Sequence, residues 1–165
     1  MSETSPTRMN LLARRNQLKL AAKGVDLLKK KRDALVSEFF ALVHQGVIAR
    51  KNLNRVAEEA YADLFLAKAF DGPGEMESLA VGVPRLSNVQ AEVENVWGTK
   101  VPHLRAEWPE GYSLSPIASG GQSLAAQQSF RALTKALLAV ANTEARLRRI
   151  GEEIKKTTRR VNALE

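Results

Sequence analysis

The chain has 165 residues, a net charge of +7 and only 5% aromatic residues, one domain's worth of sequence without the aromatic mass of a large compact core. It contains no cysteine, which excludes disulfides and thiolate metal sites and fits a reducing compartment. No apolar run approaches the roughly 18 residues of a membrane span, so no direct span is expected, and the basic balance asks for an acidic partner without specifying nucleic acid.

Residues 1–7 read as a flexible lead with no signal-peptide core; Thr4, Ser5 and Thr7 flank Pro6 as candidate helix N-caps. From residue 8 to residue 70 no proline interrupts the chain, and apolar residues recur every three to four positions. One row of this pattern is Leu11, Leu18, Val25, Arg32, Phe39, Gly46, Leu53 and Ala60. The second is Arg14, Ala21, Leu28, Leu35, Leu42, Ala49, Val56 and Asp63. All but Arg14, Arg32, Gly46 and Asp63 are apolar or Ala, a sustained seven-residue repeat that predicts a left-handed supercoil. Gly24 and Gly46 weaken such a helix by about 1 kcal/mol each relative to Ala and mark either close approach or a bend. Asp71-Gly72-Pro73-Gly74 is a stop signal.

The segment 71–121 changes character, with seven acidic residues against three basic ones. Val89, Ala91, Val93 and Val96-Trp97 alternate with polar residues, the signature of a strand. A short two-stranded hairpin is expected at the connecting end, leaning on the helices or on another protein chain because an isolated hairpin is marginal in water. Trp97 and Trp108 fit either a small local core or an exposed docking anchor. Gly98, Pro102, Pro109, Gly111 and Pro116 punctuate the rest.

Residues 122–165 return to the helical pattern, with Ser123 as an N-cap candidate after Gly120-Gly121. Leu133, Val140, Leu147, Ile154 and Val161 form one row; Phe130, Leu137, Glu144, Gly151 and Thr158 form the weaker second row. The expected fold class is therefore mainly α: a long antiparallel two-helix coiled coil with a short β-hairpin and irregular segment at the connection. At 1.5 Å per residue the helices are about 95 Å and 65 Å long. Paired from the connection, residue 165 falls level with Val25 to Leu28. Residues 8–24 then lack an intrachain partner although they carry Leu11, Leu12, Leu18 and Leu20, and the natural chain is expected to continue past residue 165.

Bond chemistry finds little support. His44 and His103 are the only histidines and lie on different elements; no metal spacing, phosphate loop or nucleophile turn is present. Glu58-Glu59 and Glu152-Glu153 are adjacent on helices, diverge by about 100° and share no substrate. The remaining candidates are cations: Arg14, Arg15, Lys29, Lys30, Lys31 and Arg32 on the first helix, and Arg148, Arg149, Lys155, Lys156, Arg159 and Arg160 on the second. As a collar they suit an acidic protein surface or phosphates. Base stacking favours aromatics among basic residues, and these runs hold none. A basic coiled-coil nucleic-acid-binding or scaffold protein is the alternative on charge alone.

Four stretches carry a resemblance: SPTRMNLL at 5–12, KGVDLLKKKRDAL at 23–35, VENVWGTKVP at 93–102 and ANTEARLRRIGEEIKKTTRRVNALE at 141–165. In order and over nearly the whole chain they resemble the D subunit of V/A-type rotary ATPases, of the kind found in Thermus and Deinococcus. The resemblance implies a non-catalytic central rotor stalk, without cofactor, transmitting torque between the A/B catalytic ring and the membrane rotor of a proton or sodium pump. It implies the A and B subunits, the F subunit of the stalk and the C subunit as rotor-ring adaptor for partners. It also implies no nucleic acid, and a cytoplasmic, peripheral place on the inner face of the plasma membrane. Members of the family continue past VNALE, in line with the length mismatch. On this basis the cationic collar is expected to meet the ring, and Val93, Val96, Trp97, Lys100 and Val101 to serve membrane-side coupling or to tune hydrolysis.

Overall fold

The computed structural model describes residues 7–82, 88–107 and 120–164. The lead 1–6, Trp108, Pro109, Gly111 and Pro116 lie outside the described residues. Among the described residues there are three helices and one hairpin: α1 (Arg8–Phe70), α2 (Pro73–Gly82), β1 (Asn88–Val96), β2 (Thr99–Glu107) and α3 (Gly121–Leu164).

Helix α1 begins where the sequence asks. Thr7 is extended, and its hydroxyl accepts a hydrogen bond from the Asn10 N–H at 3.3 Å, satisfying one of the orphan donors of the first turn. It ends at Asp71, whose N–H donates to the Ala67 carbonyl at 2.8 Å, and Gly72 then takes φ +87, the left-handed region open to glycine. The stop is followed at once by α2, which the sequence reading did not place. Pro73 opens it because proline tolerates a first helical position, where its missing N–H costs nothing.

α1 and α3 pair antiparallel. Contacts step down one as they step up the other: Asp71 with Ser123, Asp63 with Ser129, Arg50 with Glu144 and Lys31 with Glu153. All twelve predicted seam positions of α1 from Val25 to Asp63 are buried or partly buried, whereas Leu11, Arg14, Leu18 and Ala21 are exposed. The seam thus runs out at the level where α3 ends. At Gly46 a Cβ would meet Thr143 Cγ2 at 3.4 Å and Leu147 Cδ1 at 3.7 Å, so this glycine marks close approach; around Gly24 there is open space.

On α3 the row Leu133, Val140, Leu147, Ile154, Val161 faces α1 as expected. The second row is displaced by one residue from the expected one. Its members are Ser129, Ala136, Thr143, Ile150 and Thr157, while Leu137 and Glu144 point to solvent. A coiled-coil seam alternates steps of three and four, and the step after Leu133 is three. The polar or small members of this row hid that choice. The N-terminus of α3 also differs: Gly120 flanks the helix, and Asp71 caps it across the connection. One carboxylate oxygen of Asp71 accepts from the Ser123 N–H at 3.0 Å and from the Ser123 hydroxyl, and a Cβ at Gly120 would collide with that carboxylate.

β1 and β2 form an antiparallel ladder from Asn88↔Glu107 to Val96↔Thr99. The turn Trp97-Gly98 has φ +50 and +73, the two positive values of the type I′ turn that suits the strand twist. In space the hairpin is folded back along the shaft, against the side of α3, and not held at the helix connection. Arg149 Nε donates to the Lys100 carbonyl at 3.1 Å, and Asn142 Oδ1 accepts from the Leu104 N–H at 3.1 Å. Val101 is fully buried with Leu35, Leu42 and Ile150, and Phe39, Val96, Leu147 and Ile154 pack around them. A second cluster, Val56, Ala60 and Leu133 with Leu53, Ala57 and Phe130, sits nearer the connection.

Two outcomes check this packing. Ile150→Ala is expected to lower unfolding stability by about 2–5 kcal/mol, and Leu137→Ala by less than about 1 kcal/mol, both read by denaturant titration; equal losses would restore the undisplaced row. Trp97→Asn creates the Asn-Gly pair favoured in this turn and is expected to raise stability by up to about 1 kcal/mol; a fall would show that Trp97 is held by contacts within the chain.

Candidate partner-binding surface

The cations foreseen as a collar divide into two groups. The first is paired with acidic residues of the chain itself. Lys31 Nζ lies 3.6 Å from Glu153 across the seam, Lys30 pairs with Asp26 at 3.2 Å, and Arg32 folds onto its neighbour Asp33 at 3.0 Å. Arg148 and Arg149 both reach Glu152, at 3.6 and 3.4 Å, and Lys29 also has an interaction. Such pairs on a wet surface contribute about 0–1 kcal/mol each, but they remove positive potential that a partner would otherwise meet.

The second group is uncompensated. Among the described residues, Lys155, Lys156, Arg159 and Arg160 make no ion pair, and with Glu152 and Ala163 they line one open groove on α3. Residues 8–31 of α1 hold eight basic residues and one acidic residue, so this end of the shaft carries an excess of positive charge. Arg15 lies here and is exposed; Arg14 reaches only the neutral Gln17, at 3.3 Å. Helical spacing puts Arg8, Arg15, Lys19 and Lys23 on one side of α1. The same stretch exposes Met9, Leu11, Leu12, Leu18 and Leu20.

Of the hairpin residues singled out from sequence, the structure separates core from surface. Val101 is fully buried and Val96 packs against it, so both anchor the hairpin. Val93, Trp97 and Lys100 are exposed, and Trp97 does so at a positive φ that a bulky side chain rarely adopts. The tip sits beside α1: a Cβ on Gly98 would lie 3.8 Å from Lys31 Nζ.

Sequence reasoning missed the polar network behind the hairpin. Arg146 lies 3.5 Å from Glu94, His103 Nδ1 lies 3.7 Å from the other Glu94 oxygen, and Asn142 Nδ2 lies 3.2 Å from His103 Nδ1. Each pairing joins residues far apart in sequence; the only local signal was a polar Asn142 on a helix facing a strand with alternating Glu92 and Glu94. It also missed a second apolar display on α1, formed by Phe40, Val47 and Ile48 and, nearer the connection, by Tyr61, Phe65 and Phe70, all more than half exposed. Among the described residues no His, Asp or Glu group is arranged to hold a metal ion, and no helix is long and apolar enough to cross a membrane.

Comparison with known proteins agrees with this architecture. The family model for the ATP synthase D subunit matches residues 10–165. The V-type ATP synthase D subunit of Thermus thermophilus is 64% identical over 165 residues, which is all of this chain and 74% of that protein. Its counterpart in Deinococcus radiodurans is 48% identical over 164 residues, 99% of this chain and 73% of the relative. The A-type ATP synthase D subunit of Pyrococcus horikoshii is 36% identical over 168 residues, covering 97% and 77%. An unbroken helical pair, a lateral hairpin and a match along nearly the full chain place this protein in the ATP synthase D-subunit family.

Proposed function

We propose that the chain is the central rotor shaft of a V/A-type ATP synthase, carrying torque between the catalytic ring and the membrane rotor and performing no bond chemistry itself. The observation that carries this reading is the continuous α1–α3 seam, from Val25 to the connection at Asp71 and Ser123. A rod of two helices locked by side-chain packing resists unwinding, since relative rotation of the helices would lift each seam residue from its place.

The asymmetry of the rod supplies the mechanism. One end bears uncompensated cations; one side bears the hairpin. As the shaft turns, it presents different faces to three A/B pairs and biases each between open and closed states. A rotor shifts those populations only through contacts that differ between the states. Lys155, Lys156, Arg159, Arg160 and Arg15 are the side chains proposed to meet acidic surfaces of the A and B subunits. The F subunit is assigned to the shaft and the C subunit to the membrane-side adaptor, with the assembly peripheral to the inner face of the plasma membrane. Lys30, Lys31 and Arg32 take a mainly internal role, because their charges are already met within the shaft.

Reversing the four groove charges together (Lys155→Glu, Lys156→Glu, Arg159→Glu, Arg160→Glu) in the reassembled complex is expected to reduce coupled ATP hydrolysis at least about tenfold. The thermal stability of the isolated chain should change little, since none of the four holds an ion pair among the described residues. Wild-type coupling in that variant would remove the groove from the ring interface.

A further inference from the structure

The two edges of the hairpin are not alike. Val93 stands opposite Pro102 in the ladder, and proline has no N–H to give, so this pair exchanges no hydrogen bonds. Bonded and non-bonded pairs alternate in an antiparallel ladder. The ladder bonds therefore fall on Gln90↔Arg105, Glu92↔His103 and Glu94↔Val101. The backbone groups of Val89, Ala91 and Val93 on β1 turn outward, as do those of Lys100, Pro102 and Leu104 on β2.

The β2 edge is closed. The Lys100 carbonyl accepts from Arg149 Nε at 3.1 Å. The Leu104 N–H and carbonyl are both taken by Asn142, at 3.1 and 3.4 Å, and Pro102 between them has no donor. The β1 edge has none of these guards. Among the described residues, nothing bonds to the outward N–H and carbonyl groups of Val89, Ala91 and Val93. Nor does β1 contain a proline, lysine or arginine, the residues with which natural sheets blunt an edge.

The side chains beside the open edge sort by face. Val89↔Ala106, Ala91↔Leu104 and Val93↔Pro102 are three apolar pairs on the face turned away from the shaft, and the three β1 members are exposed. On the other face, where Val101 enters the core and Glu94 meets Arg146, β1 supplies Glu92 and Glu94. Their side chains are still 48% and 45% exposed.

We propose that β1 receives an extended segment of a partner protein as a third strand, a segment in which apolar residues alternate with basic ones. Main-chain bonds to Val89, Ala91 and Val93 attach it, and the side-chain alternation selects it. One set of its side chains lies beside the exposed valines. The other lies beside Glu92 and Glu94, where opposite charge is favoured and like charge is penalised. A second copy of β1 brings two more glutamates and no cation, so charge disfavours self-pairing. A third strand also supports a two-stranded hairpin that is marginal by itself. The edge is separate from the cationic groove on α3 and is open whatever that groove meets.

Amide hydrogen exchange on the full chain, read by NMR, tests the proposal with a synthetic peptide of alternating valine and lysine as long as β1. At about ten times its Kd, the peptide is expected to slow exchange at Val89, Ala91 and Val93 about tenfold. Gln90, Glu92 and Glu94, already bonded to β2, should change less than about twofold. A valine–glutamate peptide of the same length should bind at least about tenfold more weakly, and the valine–lysine peptide N-methylated throughout should give no protection. Ala91→Pro removes one outward donor at a place where an edge strand tolerates proline. It should weaken peptide binding about tenfold while the Val101 amide stays protected. Absence of protection, equal protection of both sets of amides, or undiminished binding of the N-methylated or valine–glutamate peptide would each overturn the proposal. Protection of the outward amides that grows with the chain's own concentration would overturn it in favour of a second copy.

Discussion

The structure depends on the seven-residue alternation that lets α1 and α3 bury a common stripe. Neither helix has enough apolar surface to stand as a core by itself; each half-buried Leu, Val or Ala becomes stabilising only when the partner supplies the facing wall. Where the partner ends, burial ends. Phe39, Leu42 and Leu53 are covered, and Leu11 and Leu18, at equivalent places in the repeat, are not. Contact with a second helix decides exposure here, and the residue type does not.

Polar groups then determine how the pair is aligned. Asp71 caps α3 through Ser123, Asp63 accepts from the Ser129 hydroxyl, and Arg50 meets Glu144 at 2.5 Å. These contacts contribute modestly to stability, but each is satisfied in one register only. An apolar stripe of leucines and valines tolerates sliding by a heptad; a row of matched polar partners does not. The hairpin adds a lateral reference through Val101 in the same cluster as Leu35 and Ile150. The result is a rod with a fixed register, a distinct side and a charged end, the three properties a shaft needs to present different faces in turn.

Much of this was legible in the sequence for identifiable reasons. The α1 row could be read because its apolar members are large and evenly spaced, and its ends because Thr7 and Gly72 have the chemistry of a cap and a stop. The second row of α3 could not, since Ser129, Thr143 and Thr157 look like surface residues and Leu137 looks like core; only the partner's shape selects the former. Helix α2 was hidden by Pro73-Gly74, which reads equally as a break and as a first turn. The hairpin's existence followed from alternation, whereas its position depends on Asn142 and Arg149 meeting strand backbone from far along the chain. For the candidate surface, the cations were plain, but which were already neutralised was not. Lys31 and Glu153, or Arg146 and Glu94, are remote in sequence, and no local pattern announces their pairing.

The central claim is that two packed helices turn as one body. Gly46 and Thr143 face each other across the seam, with a Cβ at position 46 only 3.4 Å from Thr143 Cγ2, near the span of a disulfide. The most direct measurement is ATP turnover by the assembled complex carrying Gly46→Cys and Thr143→Cys, before and after oxidation. A shaft that rotates as a unit predicts the same turnover in both states. Turnover that stops on oxidation and returns on reduction would mean that the helices must slide or unwind during the cycle, and would contradict the account.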